Sequence, residues 1–170
     1  MRPMPGAMPD PAEIDILIED PRWQAVGLDT LAAGAAAAAL GIAGIGGPRE
    51  ISILAADDAR IAALNAAHRG KDGATNVLSW PAEDLAPDMP GARPNPPGLP
   101  ELGDIALAYE TCAGEATAHG IPVSAHVSHL IVHGVLHLLG YDHETDADAT
   151  LMESLEIKAL ENMGLHNPYL

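Results

Sequence analysis

The sequence predicts a single α/β (α+β) domain, with one mixed four-stranded sheet packed with helices. Three observations carry this. Four short apolar runs, at residues 14–18, 50–55, 75–80 and 104–109, have strand length, and segments of helical composition lie between them. From about residue 110 onward the patterning is helical throughout. The 170 residues are 48% hydrophobic, enough for one packed domain, and they show no internal repeat and no second domain.

In chain order, residues 1–12 carry three prolines before Asp10 and no apolar run, and are expected to form a flexible tail. Residues 14–18 open with an apolar–polar alternation and read as a strand. Residues 23–40 read as a helix because of their alanine run, whose small side chains suit close packing against a sheet. The stretch 41–48 closes that helix, and 50–55 is the second strand. Asp57 or Asp58 can cap the next helix, which runs to about His68 with Ile61, Leu64 and Ala67 inward. A turn-rich loop follows at 69–73, then a strand at 75–80 ended by Pro81. Residues 82–102 hold six prolines and two glycines without periodicity and read as a long Pro-rich loop, either functional or a tolerated insertion. After the fourth strand comes a helix over 110–119, stopped by Gly120-Ile121-Pro122. Ser124 is placed to cap a long apolar helix, and a last helix spans 146–163. In that last helix Leu151, Leu155, Ala159 and Leu160 are read as inward, and Glu153, Glu156 and Glu161 as outward.

Composition narrows the function. The net charge of −16 argues against a broad nucleic-acid surface, which is normally basic, but leaves room for a local patch. Arg60, Arg69 and Lys71 supply one within twelve positions. The lone cysteine, Cys112, has no internal disulfide partner and reads as a small buried residue in a reducing compartment. There is no secretory signal, and the apolar stretch 31–45 is short and glycine-broken for a membrane span. These features predict a cytoplasmic protein with no membrane contact.

The chemistry concentrates in His133-Gly134-Val135-Leu136-His137-Leu138-Leu139-Gly140-Tyr141-Asp142-His143. Histidines four apart share one helix face. Gly140 lets the chain leave the helix through a left-handed residue, so that His143 can return to the same point. Three neutral imidazoles leave a fourth position open on a tetrahedral zinc ion, the pattern of a catalytic site at the end of the long helix. The spacing resembles the long zinc motif of the metzincins, except that Gly134 stands where those peptidases carry a glutamate base. Asp142 can orient a histidine or act as a base, and the first role is preferred. His126 and His129 share the face of His133; each can support the site or face a ligand, although one buried and one half-exposed histidine is the simpler reading. His68, His119 and His166 carry no signal, and Thr75 and Ser79 have no histidine partner for a nucleophilic triad.

A second stretch runs from Leu64-Asn65-Ala66-Ala67-His68-Arg69-Gly70-Lys71-Asp72 to Thr75-Asn76-Val77-Leu78-Ser79-Trp80-Pro81. With Leu102-Gly103-Asp104-Ile105 and the histidine motif, it resembles the YbeY family of bacterial endoribonucleases, also called rRNA maturation factors. The resemblance covers residue 50 to the C-terminus; before residue 48 only the pattern of elements matches. Trp80 stands where phenylalanine is commoner, and the Pro-rich loop is a local departure. The resemblance implies a single-strand-specific endoribonuclease that matures the 3′ end of small-subunit (16S) ribosomal RNA and serves ribosome quality control. It implies zinc on His133, His137 and His143, with Arg69 as the functional arginine.

The residue chemistry agrees in part. The planar fork of an arginine holds two phosphate oxygens, and zinc polarises a phosphoryl oxygen. Arg69 read alone is equally a solvated loop residue. The expected partners are single-stranded RNA and the small ribosomal subunit. Lys71, Asp142 and His129 are expected as supporting or RNA-facing groups. Two other readings stand beside this one: a zinc hydrolase of peptides or small substrates, and a non-catalytic ribosome assembly factor with structural zinc.

Overall fold

The computed structural model describes residues 12–69 and 73–170, with His68 and Arg69 described by their backbone alone. The expected tail over 1–12 lies, Ala12 apart, outside the described residues, as does Lys71.

The strands are β1 (Glu13–Ile18), β2 (Glu50–Ala56), β3 (Val77–Pro81) and β4 (Glu101–Ala108). They form one mixed sheet in the order β1-β2-β4-β3. β1, β2 and β4 run parallel, and β3 lies antiparallel to β4 at the edge. Pro81 is tolerated in β3 because an edge strand has one side without ladder partners. β4 begins at Glu101, inside the stretch expected as loop, because Glu101 and Leu102 continue its pairing.

The helices are α1 (Leu28–Ala43), α2 (Asp58–Arg69), α3 (Tyr109–His119), α4 (Val123–Leu138) and α5 (Asp146–Asn162), with a 3-10 helix at Pro21–Val26. The helix expected over 23–40 is thus two pieces. Asp20 caps the 3-10 turn by accepting from the Arg22 amide, and Gly27, at φ 70°, breaks the rod before α1 starts. Trp23 is thereby turned into the core, where its Nε1 donates to the Ala56 carbonyl at 2.9 Å. Ala32, Ala35, Ala36 and Ala39 are fully buried in the core cluster that also holds Ile51, Ile53, Ile105 and Leu107 of the sheet, and α1 as a whole packs most closely on α4 and α5. Alanine permits that close helix–helix approach because it adds little beyond the backbone cylinder.

Alternation splits the sheet into two faces. Ile51, Ile53, Ile105 and Leu107 join the main core under α1, α4 and α5. Ala56, Leu78, Ala106 and Ala108 form a smaller cluster with Ile61 of α2. Asp57 caps α2 by accepting from the Arg60 amide at 2.8 Å. Ala67, expected inward, is exposed, and Asn65 takes the buried position, donating to the Gly73 carbonyl at 3.0 Å. Helix α4 starts one residue before Ser124, with Pro122 at its N-cap and no side-chain cap; Ser124 lies inside the helix. Among the described residues no single helix is long and apolar enough to cross a membrane.

Candidate metal centre

Helix α4 fixes the first two histidines. Its inner face, with Ile131, Val135 and Leu138, is buried against the sheet and neighbouring helices, so the face carrying His133 and His137 is held toward β3. Helix α4 ends at Leu138. The Gly140 amide donates to His137 O at 3.0 Å and the Tyr141 amide to Leu136 O at 3.0 Å, with Gly140 at φ 99°. This reversal returns His143 to the cluster: its ring centroid lies 5.5 Å from that of His133 and 5.1 Å from that of His137. One ligand nitrogen from each of the three falls within 4.8 Å of the others, the one such metal-capable group among the described residues.

Hydrogen bonding settles which nitrogens are free. His133 Nδ1 meets Glu156 Oε1, and His137 Nδ1 meets the Tyr141 carbonyl at 2.9 Å. A carbonyl or carboxylate oxygen only accepts, so both Nδ1 atoms carry protons. Both Nε2 atoms are then bare in the neutral rings, and they face each other at 2.9 Å. Two opposed lone pairs repel unless a cation lies between them. The donor set therefore fits a metal ion, and the bonds at Nδ1 are of the kind that orient metal-bound imidazoles.

Burial, and the neighbouring imidazoles of His133 and His143, lower the pKa of His137 to about 4, so the ring stays neutral as a ligand must. Glu156 is fully buried. Burial pushes its pKa up, but the hydrogen bonds from His129 and His133 outweigh this and hold it near 2. These shifts predict acid sensitivity in the metal-free protein. Between about pH 6.5 and pH 4 the unfolded chain protonates His137 and the folded chain does not, so stability falls as pH falls through that window. Thermal unfolding of chelator-treated protein should show a lower Tm at pH 4.5 than at pH 7, and His137→Gln should flatten the slope. A Tm that rises on acidification would contradict the assignment.

The histidines open onto a cleft of about 640 Å3 whose walls include Thr75, Asn76 and Ser79 at β3, together with Asp142 and Glu144. Thr75 and Ser79 thus line the cleft, although they form no nucleophilic triad with a histidine. Asp142 accepts from the His143 amide at 2.7 Å and so braces the turn rather than a ring. Arg69 is the last residue of α2, not the first of a loop. His126 is buried against Glu115 at 2.9 Å; His129 is half-buried, with Nε2 3.4 Å from Glu156 Oε2.

The Pro-rich stretch forms a wall beside the histidines. Leu85 is buried, its carbonyl accepts from the Asn95 amide at 2.9 Å, and the Gly91 amide donates to Asp148 at 2.8 Å. Residues of this stretch, with Ser79 and Pro81 of β3 and the 140–148 turn, line a second cleft that His137 borders.

At the site, Glu156 departs from expectation, and the packing of Gly134 explains why a glutamate is absent there. Glu156 was read as outward, yet Met152, Leu155, Glu156, Ala159 and Leu160 form one buried stripe. A carboxylate on such a stripe signals a buried partner, and that signal was present in the spacing. Gly134 faces β4: a Cβ there would lie 3.0 Å from Ile105 Cδ1. A glutamate at this position would thus enter the sheet packing before it could serve as a base.

Fold and site together define an α+β domain with a three-histidine, metal-capable centre at the end of a core helix. The chain belongs to the Endoribonuclease YbeY family, whose family model matches residues 18–164, reaching well before the residue 50 limit of the motif resemblance. It is 55% identical over 167 residues to the Endoribonuclease YbeY of Dinoroseobacter shibae, covering 95% of this chain and 92% of that one. Identity to the Jannaschia sp. protein of the same name is 57% over 160 residues, with 92% and 99% covered. The Ruegeria pomeroyi protein of that name is 54% identical over 162 residues, with 92% and 97% covered. The solution structure of TM1509 from Thermotoga maritima has the same fold, with a TM-score of 0.55 and 18% identity over 89% of this chain and 91% of that one.

Proposed function

We propose that the chain is a zinc-dependent endoribonuclease that cuts single-stranded RNA, holding one zinc on His133, His137 and His143 and contacting phosphate through Arg69. Within the cytoplasm it processes the 3′ end of 16S ribosomal RNA on the small subunit and serves ribosome quality control. The observation that carries the metal is the pair of bare Nε2 atoms facing each other at 2.9 Å. The shared name of the relatives carries the nuclease activity.

Zinc bound there would supply Lewis-acid polarisation of a phosphoryl oxygen. Arg69, with Lys71 beside it in sequence, supplies the cationic hold on phosphate in a chain of net charge −16. Asp142 holds the His143 turn and His129 backs Glu156. The acidic groups at the cleft, Asp142 and Glu144, disfavour a rigid duplex with its dense phosphates, whereas a single strand can bend one phosphate inward. Peptide hydrolysis is not favoured, since the glutamate position of the peptidases is Gly134 packed on Ile105. A purely structural zinc is not favoured either, because the cluster opens on a cleft and offers three ligands where closed sites use four.

The test uses a labelled RNA hairpin with a single-stranded tail, with and without chelator. Cutting confined to the tail and abolished by chelator is expected. Arg69→Ala should lower cleavage about 100-fold with metal content and Tm nearly unchanged, and Arg69→Lys should recover only part, since lysine lacks the fork. An intact tail beside chelator-sensitive peptide cleavage would overturn the reading, and equal cleavage by all three proteins would remove Arg69 from it.

A further inference from the structure

We propose that Glu156, pinned by the hydroxyl of Tyr169, is a positioning residue that sets the tautomer and ring direction of His133. The inference rests on the metal reading above and adds to it the groups behind the ligands.

Glu156 projects from α5 and is fully buried, with its carboxylate shared among three donors. Oε1 accepts from His133 Nδ1, and Oε2 accepts from His129 Nε2 at 3.4 Å and from the Tyr169 hydroxyl. No Lys or Arg salt bridge to it is present among the described residues. A buried carboxylate without a fixed cation is costly unless its oxygens are satisfied, so these contacts are what hold it there.

The consequence falls on His133. With Nδ1–H committed to the carboxylate, Nε2 of the neutral ring presents its lone pair, and the ring plane is fixed toward His137. Helix α4 alone leaves the His133 side chain its rotamers and tautomers. Tyr169 comes from a segment beyond α5, with its ring 5.7 Å from that of His129, edge to face. Its hydroxyl prevents Oε2 from turning away, so His133 is positioned by α5 and by the segment after it. Asp142 does not substitute, because it bonds a backbone amide.

The experiment measures zinc affinity by competition with a chromophoric chelator, and the visible absorption of the Co2+-loaded full chain. Glu156→Gln keeps one acceptor and loses the charge, and should weaken zinc binding about 10- to 100-fold and alter the Co2+ spectrum. Tyr169→Phe keeps the ring against His129 and should weaken binding about 3- to 10-fold. Because Tyr169 acts through Glu156, the double variant should bind as Glu156→Gln does, and not as the product of the two effects. Wild-type affinity and spectrum in both single variants would overturn the proposal while leaving the three-histidine site intact; a wild-type chain that takes up no metal would overturn that site as well. Should Glu156→Gln fail to fold, Tyr169→Phe, at a half-exposed side chain, still decides: unchanged affinity refutes the proposal.

Discussion

His137→Ala should lose its metal and its RNA cleavage together. His137 is the central member of the cluster, with Nε2 2.9 Å from that of His133 and ring centroids 4.4 Å from His133 and 5.1 Å from His143. Its removal leaves two imidazoles 5.5 Å apart, and catalytic zinc sites are built on three protein ligands. Metal retained after gel filtration should fall from about one per chain to a trace. Cleavage of a single-stranded tail should fall at least about 100-fold. The fold should survive, because α4 is held by Ile131, Val135 and Leu138 on its other side. Circular dichroism and the metal-free Tm should thus stay near wild type, so that ligand loss is separated from unfolding. A variant that keeps both metal and cleavage would remove His137 from the site.

Gly140→Ala should destabilise both the fold and the metal centre. At φ 99° the backbone lies where side-chain-bearing residues rarely go, and a Cβ would sit 2.8 Å from the carbonyl carbon and oxygen of Leu85. These are backbone atoms of a stretch pinned by Asn95 and Asp148, so they cannot yield cheaply. Strained dihedrals cost about 1–3 kcal/mol and overpacking a similar amount, giving a loss of roughly 2–6 kcal/mol. For a chain of this size that is a Tm lower by about 10 °C. The strain is relieved most easily by moving the 140–143 turn, which carries His143, so zinc affinity should fall as well. Thermal unfolding and chelator competition measure both. An unchanged Tm would show that the turn can rearrange without cost.

Local and long-range determinants divide along the chain. The four strands and the histidine motif were legible because both depend on spacing within short windows. The break of the first long helix was not, since alanine-rich sequence propagates a helix and the interruption comes from Asp20, Pro21 and Gly27 acting together. Asp57 was found as a cap because its bond reaches only three residues ahead. Ala67 was misplaced because helix period alone does not say that Asn65 is drawn inward by the Gly73 carbonyl. The Pro-rich stretch has no period to read. Its place beside His137 follows from Leu85, whose burial under Gly140 is a contact across more than fifty residues.

What the amino-acid order determined by itself was the set of local rules: which segments are strands and helices, that His133 and His137 share a face, and that Gly140 permits a reversal. Each follows from backbone periods and allowed dihedrals, which are properties of neighbouring residues. What only the tertiary structure decided was direction and protonation. The Nε2 atoms are bare because Glu156, from another helix, and the Tyr141 carbonyl take the Nδ1 protons. Gly134 is glycine because α4 lies against Ile105 of β4. Such contacts join elements far apart in sequence: spacing places Glu156 on a buried stripe of α5, but it does not name His133 as the partner, which exists once the helices are packed.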